Sequence, residues 1–283
     1  MDNRLGHSSV LFKGRTLRIR YEEAGAHDPP TLWIHGMGAY RKTFARLWQS
    51  PWFRGRRIVV DLPGFGDSDA FPARATLEDY PAVLEKFLDS LGIASVILVG
   101  HSFGGMVAGQ LAEHIPDRVR GVIFVASAGF LDPVNALSPT PWVWVNRIGI
   151  WITGMDWFGR RMLTALGVDP RRLSPTERRW FRYGWRRARE MARMGTFYQS
   201  PHFAERMRRL SACVPMALIH GTRDILFPLD ALKAVTAPEL PLFSVPDAGH
   251  LPFVSHEELF RTAFVQAWQA IGGPRDVLHI ERR

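Results

Sequence analysis

The sequence predicts an α/β protein: a mostly parallel sheet covered by helices on both faces and interrupted by a helical insert. Three observations carry this. Through residues 1–130, short apolar runs of strand length alternate with segments of helical spacing. The rhythm breaks at Phe130-Leu131-Asp132-Pro133 and resumes at Val214. A glycine-rich turn, Gly100 to Gly105, joins an apolar strand directly to a helix. The 283 residues suit one core with one insert. Residues 1–130 and 213–283 are expected to form that core, and residues 131–212 a basic, Trp-rich helical cap.

The elements follow in order. Val10 to Phe12 and Leu17 to Tyr21 predict a hairpin turning at Lys13-Gly14. Thr31 to His35 and Arg57 to Asp61 are short buried strands. Leu77 to Leu91 places Leu77, Val83, Leu84, Phe87, Leu88 and Leu91 at helical spacing, with Thr76 as N-cap. Ser95 to Val99 is a strand, Gly104 to Ile115 a helix, and Val119 to Ala126 a strand. After the insert come strand Val214 to His220, helix Leu229 to Val235, strand Pro241 to Val245 and helix Glu257 to Ile271. Gly272 to Arg283 is expected to be a loosely attached tail.

Composition excludes several classes. The chain is 46% hydrophobic and 22% charged, a globular balance. No apolar run approaches the ~18 residues of a membrane span. Met1 to Val10 lacks the apolar stretch of a secretory signal, so a soluble cytoplasmic protein is expected. The single cysteine, Cys213, has no internal partner and is expected to be buried beside Val214. The net charge is +9, and it is concentrated in one place. Residues 131–212 hold fifteen arginines and six acids, whereas the rest balances at twenty-one of each sign. No nucleic-acid-binding motif accompanies the charge, so no nucleic-acid partner is expected.

Chemistry concentrates in a few motifs. Gly100-His101-Ser102-Phe103-Gly104 fits the nucleophile-elbow pattern, with a strand before it and a helix after. Its glycines leave room for a serine in a strained strand-to-helix turn. A serine hydroxyl needs a base, and His250 in Asp247-Ala248-Gly249-His250 follows the last strand on a short loop. Asp224, four residues beyond the strand ending at His220, is the expected acid, with Asp132 as the alternative. Of the other histidines, His220 is expected to be packed at its strand end and His256 to begin the last helix. His7, His27, His114 and His279 are expected in solvent, and His202 could contact substrate from the insert. An oxyanion hole is expected from the backbone N–H groups of Phe103 and Met37, the latter in His35-Gly36-Met37-Gly38. His35, Gly36, Leu251, Trp142 and Trp144 are candidate substrate contacts. No metal-ligand spacing is present, and no cofactor is expected.

His35 to Gly38, Asp61 to Ser68, Gly100 to Gly105, Gly221 to Asp224 and Gly249-His250 together resemble the α/β-hydrolase superfamily, in its capped serine-esterase and C–C-hydrolase-like branch. The resemblance implies an eight-stranded, mostly parallel sheet with a helical cap after the sixth strand. It makes Asp61 to Ser68 a structural loop near the site. Ser102 departs from the aspartate elbow of haloalkane dehalogenases and epoxide hydrolases. Leu251 and Pro252 stand where many meta-cleavage C–C hydrolases carry tryptophan. The expected function is hydrolysis of a carboxylic ester of a small to medium apolar substrate. A C–C hydrolase, thioesterase, lactonase or amidase with the same triad is the alternative, and a non-hydrolytic receptor is the alternative of another class.

The insert carries six of ten tryptophans: Trp142, Trp144, Trp151, Trp157, Trp180 and Trp185. Thr176 to Met194 predicts an amphipathic helix with Arg178, Arg182, Arg186, Arg189 and Arg193 on one face. Such a face is either simply solvated or meets an anionic membrane surface, an acidic carrier protein or an anionic substrate.

Overall fold

The protein is described here by a computed structural model, covering residues 4–49, 52–72, 75–131, 155–187, 200, 202–236 and 240–278. β1 (Arg4–Phe12) and β2 (Arg15–Ala24) pair antiparallel and turn Val10, Phe12, Leu17 and Ile19 inward. Their two-residue turn uses Lys13 and Gly14 at φ 46° and 75°, the geometry that matches strand twist. β3 (Thr31–Ile34), β4 (Arg57–Val60), β5 (Val96–His101), β6 (Val119–Val125), β7 (Met216–Gly221) and β8 (Leu242–Val245) complete one eight-stranded sheet. The order is β1-β2-β4-β3-β5-β6-β7-β8. Every pairing from β4 to β8 is parallel. Strands β3, β4, β5 and β7 are buried at every position, as helices on both faces require.

The helices are α1 (Ala45–Gln49), α2 (Tyr80–Ser90), α3 (Phe103–His114), α4 (Asp156–Ala165), α5 (Pro175–Arg187), α6 (Phe203–Leu210), α7 (Leu229–Val235), α8 (Pro252–Ser255) and α9 (Glu257–Ala270). Before α2, Leu77–Asp79 forms a 3-10 turn, and the Asp79 carboxylate accepts from Thr76 N–H at 2.7 Å. One apolar cluster joins the sheet to α2 and α3 through Tyr80, Phe87 and Phe103. The other joins the opposite face to α9, where Trp33 stacks on Phe264 with ring centroids 5.5 Å apart.

Between β6 and β7 lie α4, α5 and α6. Phe203 and Met207 of α6 seat against Gly109 of α3, in the first cluster. α5 covers the first part of the helix expected at Thr176 to Met194. Residues 188–194, with Arg189 and Arg193, lie outside the described residues, as do Asp132, Trp142, Trp144, Trp151 and His279.

Two expectations are corrected. Cys213 is exposed, because β7 begins only at Met216 and the cysteine falls in the preceding turn. The tail is docked as far as Leu278: Arg54 N–H donates to the Val277 carbonyl at 2.7 Å, Phe53 bridges Leu278, and Val277 is 3% exposed. Trp268 draws it in, donating Nε1–H to the Pro274 carbonyl at 2.8 Å. His114 is exposed, as expected, with its Nε2 2.8 Å from Glu85. Among the described residues, no helix is long and apolar enough to cross a membrane.

Candidate active site

The turn from β5 into α3 places Ser102 at φ 53°, ψ −121°, a left-handed conformation unusual for a residue with a Cβ. Its backbone is held from three directions. Ser102 N–H donates to Val125 O at 3.0 Å, and its carbonyl accepts from Gly105 N–H at 2.9 Å and Ala128 N–H at 3.0 Å. The flanking glycines are required by space. A Cβ on Gly104 would overlap the backbone oxygens of Ile34 and His35, and one on Gly100 would overlap that of Gly104.

The loops beyond β7 and β8 bring two partners to this serine. Ser102 Oγ lies 2.9 Å from His250 Nε2, and His250 Nδ1 lies 2.8 Å from Asp224 Oδ2. The carboxylate can only accept, so the neutral imidazole carries its proton on Nδ1 and presents Nε2 to the hydroxyl. The other oxygen of Asp224 accepts from Leu226 N–H at 2.9 Å and Phe227 N–H at 3.3 Å. Burial opposes its charge. Attraction to His250 and these hydrogen bonds outweigh burial and hold the carboxyl below the usual range. The histidine loop is pinned to the acid loop: Asp247 N–H donates to Thr222 Oγ1 and Arg223 N–H to Ala248 O, each at 2.8 Å.

Phe103 opens α3, so its N–H lies at the positive end of that helix, directly after Ser102. The loop with Met37 approaches from β3. A Cβ on Gly36 would stand 3.1 Å from Ser102 Cβ and 2.9 Å from His101 Nδ1. The candidate substrate contacts fare differently. Gly36 is beside the serine, but His35 is fully buried, donating Nδ1–H to the Gly36 carbonyl at 2.8 Å while Nε2 accepts from Leu62 N–H at 3.1 Å. With both nitrogens committed to backbone, it braces two loops instead of facing a substrate. Burial pushes its pKa down to about 4. Leu251 is likewise in the core, 4% exposed, at the start of α8. Exposed His202 precedes α6, its Nδ1 3.8 Å from Glu205.

Two further buried histidines support the site. His220 Nε2–H donates to Phe227 O at 2.7 Å and stands 3.6 Å from Asp224. Burial lowers its pKa. His101 Nε2–H donates to the His250 carbonyl at 2.9 Å, and burial pushes its pKa down to about 3. Sequence reasoning saw His101 only as a variable position inside the elbow pattern.

Helices α4 and α5 reach the same loops. A Cβ on Gly184 of α5 would stand 2.7 Å from Gly38 O, and one on Gly167, just after α4, 2.6 Å from Gly249 Cα. Tyr183 OH donates to Asp67, whose Oδ2 accepts from Arg41 at 2.9 Å. Arg41 also binds Asp61 and Glu22, so the Asp61–Ser68 loop is a braced neighbour of the site. Arg46 Nε donates to Glu177 at 2.5 Å.

This fold and this serine–histidine–aspartate constellation accompany a match to the alpha/beta hydrolase family over residues 31–263, and the chain belongs to that family. Among particular proteins, it is similar to the dihydrolipoyllysine-residue acetyltransferase component of the acetoin cleaving system of Cupriavidus necator. The two are 36% identical over 120 residues, which is 42% of this chain and only 32% of that relative's length. To the pimeloyl-(acyl-carrier protein) methyl ester esterase of Chromobacterium violaceum it is 27% identical over 256 residues, covering 87% of this chain and 96% of the relative. A thermophilic esterase from Thermogutta terrifontis shares the fold, with TM-score 0.74, 23% identity, and coverage of 95% and 99%.

Proposed function

We propose that this chain is a serine hydrolase that cleaves a carboxylic ester of a small to medium apolar substrate through an acyl-enzyme. The observation that carries the reading is the chain of two contacts, Ser102 Oγ to His250 Nε2 at 2.9 Å and His250 Nδ1 to Asp224 at 2.8 Å. It is the geometry a general base needs to take the hydroxyl proton and an acid needs to stabilise the resulting imidazolium.

Ser102 Oγ attacks the ester carbonyl as His250 Nε2 takes its proton. The carbonyl oxygen becomes an oxyanion, received by the N–H groups of Phe103 and Met37; such a donor typically contributes about 2.7–4 kcal/mol to the transition state. His250 returns the proton to the leaving alcohol, the C–O bond breaks, and Ser102 is acylated. Water, deprotonated by His250, then attacks the acyl carbonyl and frees the acid. Residues 131–212 act as the cap over this site. The approach of Gly184 to Gly38 and of Gly167 to Gly249 supports that role.

The test is labelling with a fluorophosphonate, mapped by mass spectrometry. Modification of Ser102, abolished in Ser102→Ala, is expected; an unlabelled Ser102 in folded, active protein overturns the assignment. A panel of p-nitrophenyl esters, acyl thioesters, lactones and vinylogous diketones then separates ester cleavage from its rivals. Tight ligand binding with no turnover on any of them, unchanged by Ser102→Ala, would instead mark a receptor.

A further inference from the structure

Residues 155–187 hold nine arginines, no lysine and three acids. Two of those acids are engaged in ion pairs, one within the stretch and one from outside it. Asp169 is held by Arg171, and Glu177 is held by Arg46 from outside the stretch. Arg160, Arg161, Arg171, Arg172, Arg179 and Arg186 are all exposed, so positive charge faces outward. On α4, Trp157, Arg160, Arg161 and Thr164 are all exposed and spaced i, i+3, i+4, i+7, so they share one helix face. The opposite face holds Gly159 against Trp185, and Leu163, 3% exposed, in the core. On α5, Arg179, Arg182 and Arg186 follow the same spacing of three and four, opposite Gly184 and its contact with Gly38. Arg160 and Arg171 line one surface depression, which brings α4 next to the loop before α5.

The composition of this face narrows its partner. Trp157 is 58% exposed, the most exposed aromatic side chain among the large hydrophobics of the described residues. It shares that face with Arg160 and Arg161. Tryptophan beside arginine is the pairing suited to a water–lipid boundary: the indole enters the headgroup layer, and the guanidinium groups stay with lipid phosphates. We infer that the outer face of α4 and α5, centred on Trp157, Arg160, Arg161 and Arg179, docks the protein on an anionic phospholipid surface. Through Gly184–Gly38 and Gly167–Gly249, the docked helices would sit directly on the loops around Ser102 and His250. An ester dissolved in the lipid layer would thus be presented next to the nucleophile.

The experiment is vesicle co-sedimentation of the full chain, read as binding without turnover, so it stands or falls apart from the ester assignment. Hydrolysis of a soluble p-nitrophenyl ester is followed in parallel. Phosphatidylglycerol vesicles are expected to bind the protein at about 10 mM salt and to release it at about 500 mM, where screening shortens the reach of charge. Phosphatidylcholine vesicles are expected to bind it weakly. Each arginine near an anionic bilayer is worth about fivefold in partitioning. The triple variant Arg161→Gln/Arg179→Gln/Arg186→Gln should therefore bind about 100-fold more weakly and lose most of the salt dependence. Trp157→Ser should weaken binding while leaving the salt dependence as it is. Both variants should hydrolyse the soluble ester as wild type does. Absence of binding to phosphatidylglycerol at low salt, equal binding to phosphatidylcholine, or wild-type binding by the triple variant overturns the proposal. So does retention of the protein by an acidic carrier protein without vesicle binding, which would make the face a protein-docking surface.

Discussion

His101 donates its Nε2–H to the backbone carbonyl of His250 across 2.9 Å, tying the residue before the proposed nucleophile to the proposed base. Its other nitrogen is buried without a hydrogen-bond partner, and Gly36 of the Met37 loop packs against that nitrogen. One neutral ring thus joins the Ser102 turn to the His250 loop and the Met37 loop. His101→Leu removes the donor and leaves a buried carbonyl unsatisfied, a loss of about 1–3 kcal/mol. The expected result is a kcat lowered by about 10- to 100-fold with KM little changed, because a misplaced base harms the chemical step. His101→Gln, which keeps an N–H donor, should recover much of that kcat. Equal damage in both variants would mean that only bulk packing is at stake.

Asp224→Asn tests the orientation of the base. An amide nitrogen beside His250 Nδ1 would donate where the carboxylate accepted, driving the imidazole proton to Nε2, opposite Ser102. A fall of about 10⁴-fold in kcat is expected, with folding intact by circular dichroism. Loss below about tenfold would remove Asp224 from the mechanism and return attention to Asp132.

Stability should fall on mild acidification. His35 and His101 have pKa values lowered by burial to about 4 and about 3, against 6.5 when unfolded. Below pH ~6.5 the unfolded chain takes up protons that the folded chain refuses, so each group removes up to about 1.4 kcal/mol per pH unit until its folded pKa is reached. Asp224 has the same ordering in a lower window: its depressed pKa contributes stability that is lost only as pH falls below the ordinary carboxylate value. Urea unfolding at pH 7, 5.5 and 4.5 should show a steady decline, shallower in His101→Gln by about one group's share. A flat profile over that window would contradict the neutral, buried state of these rings.

The contact between α5 and the Met37 loop gives a fourth expectation. A methyl group on Gly184 would stand 2.7 Å from the Gly38 carbonyl oxygen, closer than packing allows, so helix or loop must shift. Gly184→Ala should lower kcat toward soluble esters by about tenfold while reducing stability by only about 1–3 kcal/mol. Unchanged kinetics would separate α5 from the chemistry.

The core of the fold was legible because its strands are short apolar runs bounded by glycine and its helices keep a clear period. Ser102, Asp224 and His250 were legible because each follows a strand end in a loop marked by glycine. β1 extends from Arg4 and not merely from Val10, because its first half is held by backbone pairing with β2 while most of its side chains face solvent. No hydrophobic pattern marks such an edge. Tyr183 and Asp67 lie 116 residues apart, and nothing local in either segment reports that they meet. Val277 and Leu278 are a short apolar pair in a polar stretch, and the burial of Val277 depends on packing with Phe53 and Trp268. Cys213 was misplaced because an apolar run does not show at which residue its strand begins.

The chain leaves the sheet at the end of β6 and re-enters at β7, and these strands are hydrogen-bonded neighbours, Val122 beside Met216 and Val125 beside Ile219. The two ends of the long excursion are therefore fixed side by side, whatever lies between them. Apart from residues that pack into the core, such as Leu163, Phe203 and Met207, the excursion is not needed to set the register of any strand, and Ser102, Asp224 and His250 are anchored to strand ends outside it. On the proposed function, inheritance could thus change what reaches Ser102 by rewriting one segment at one seam while leaving the three triad positions where they are.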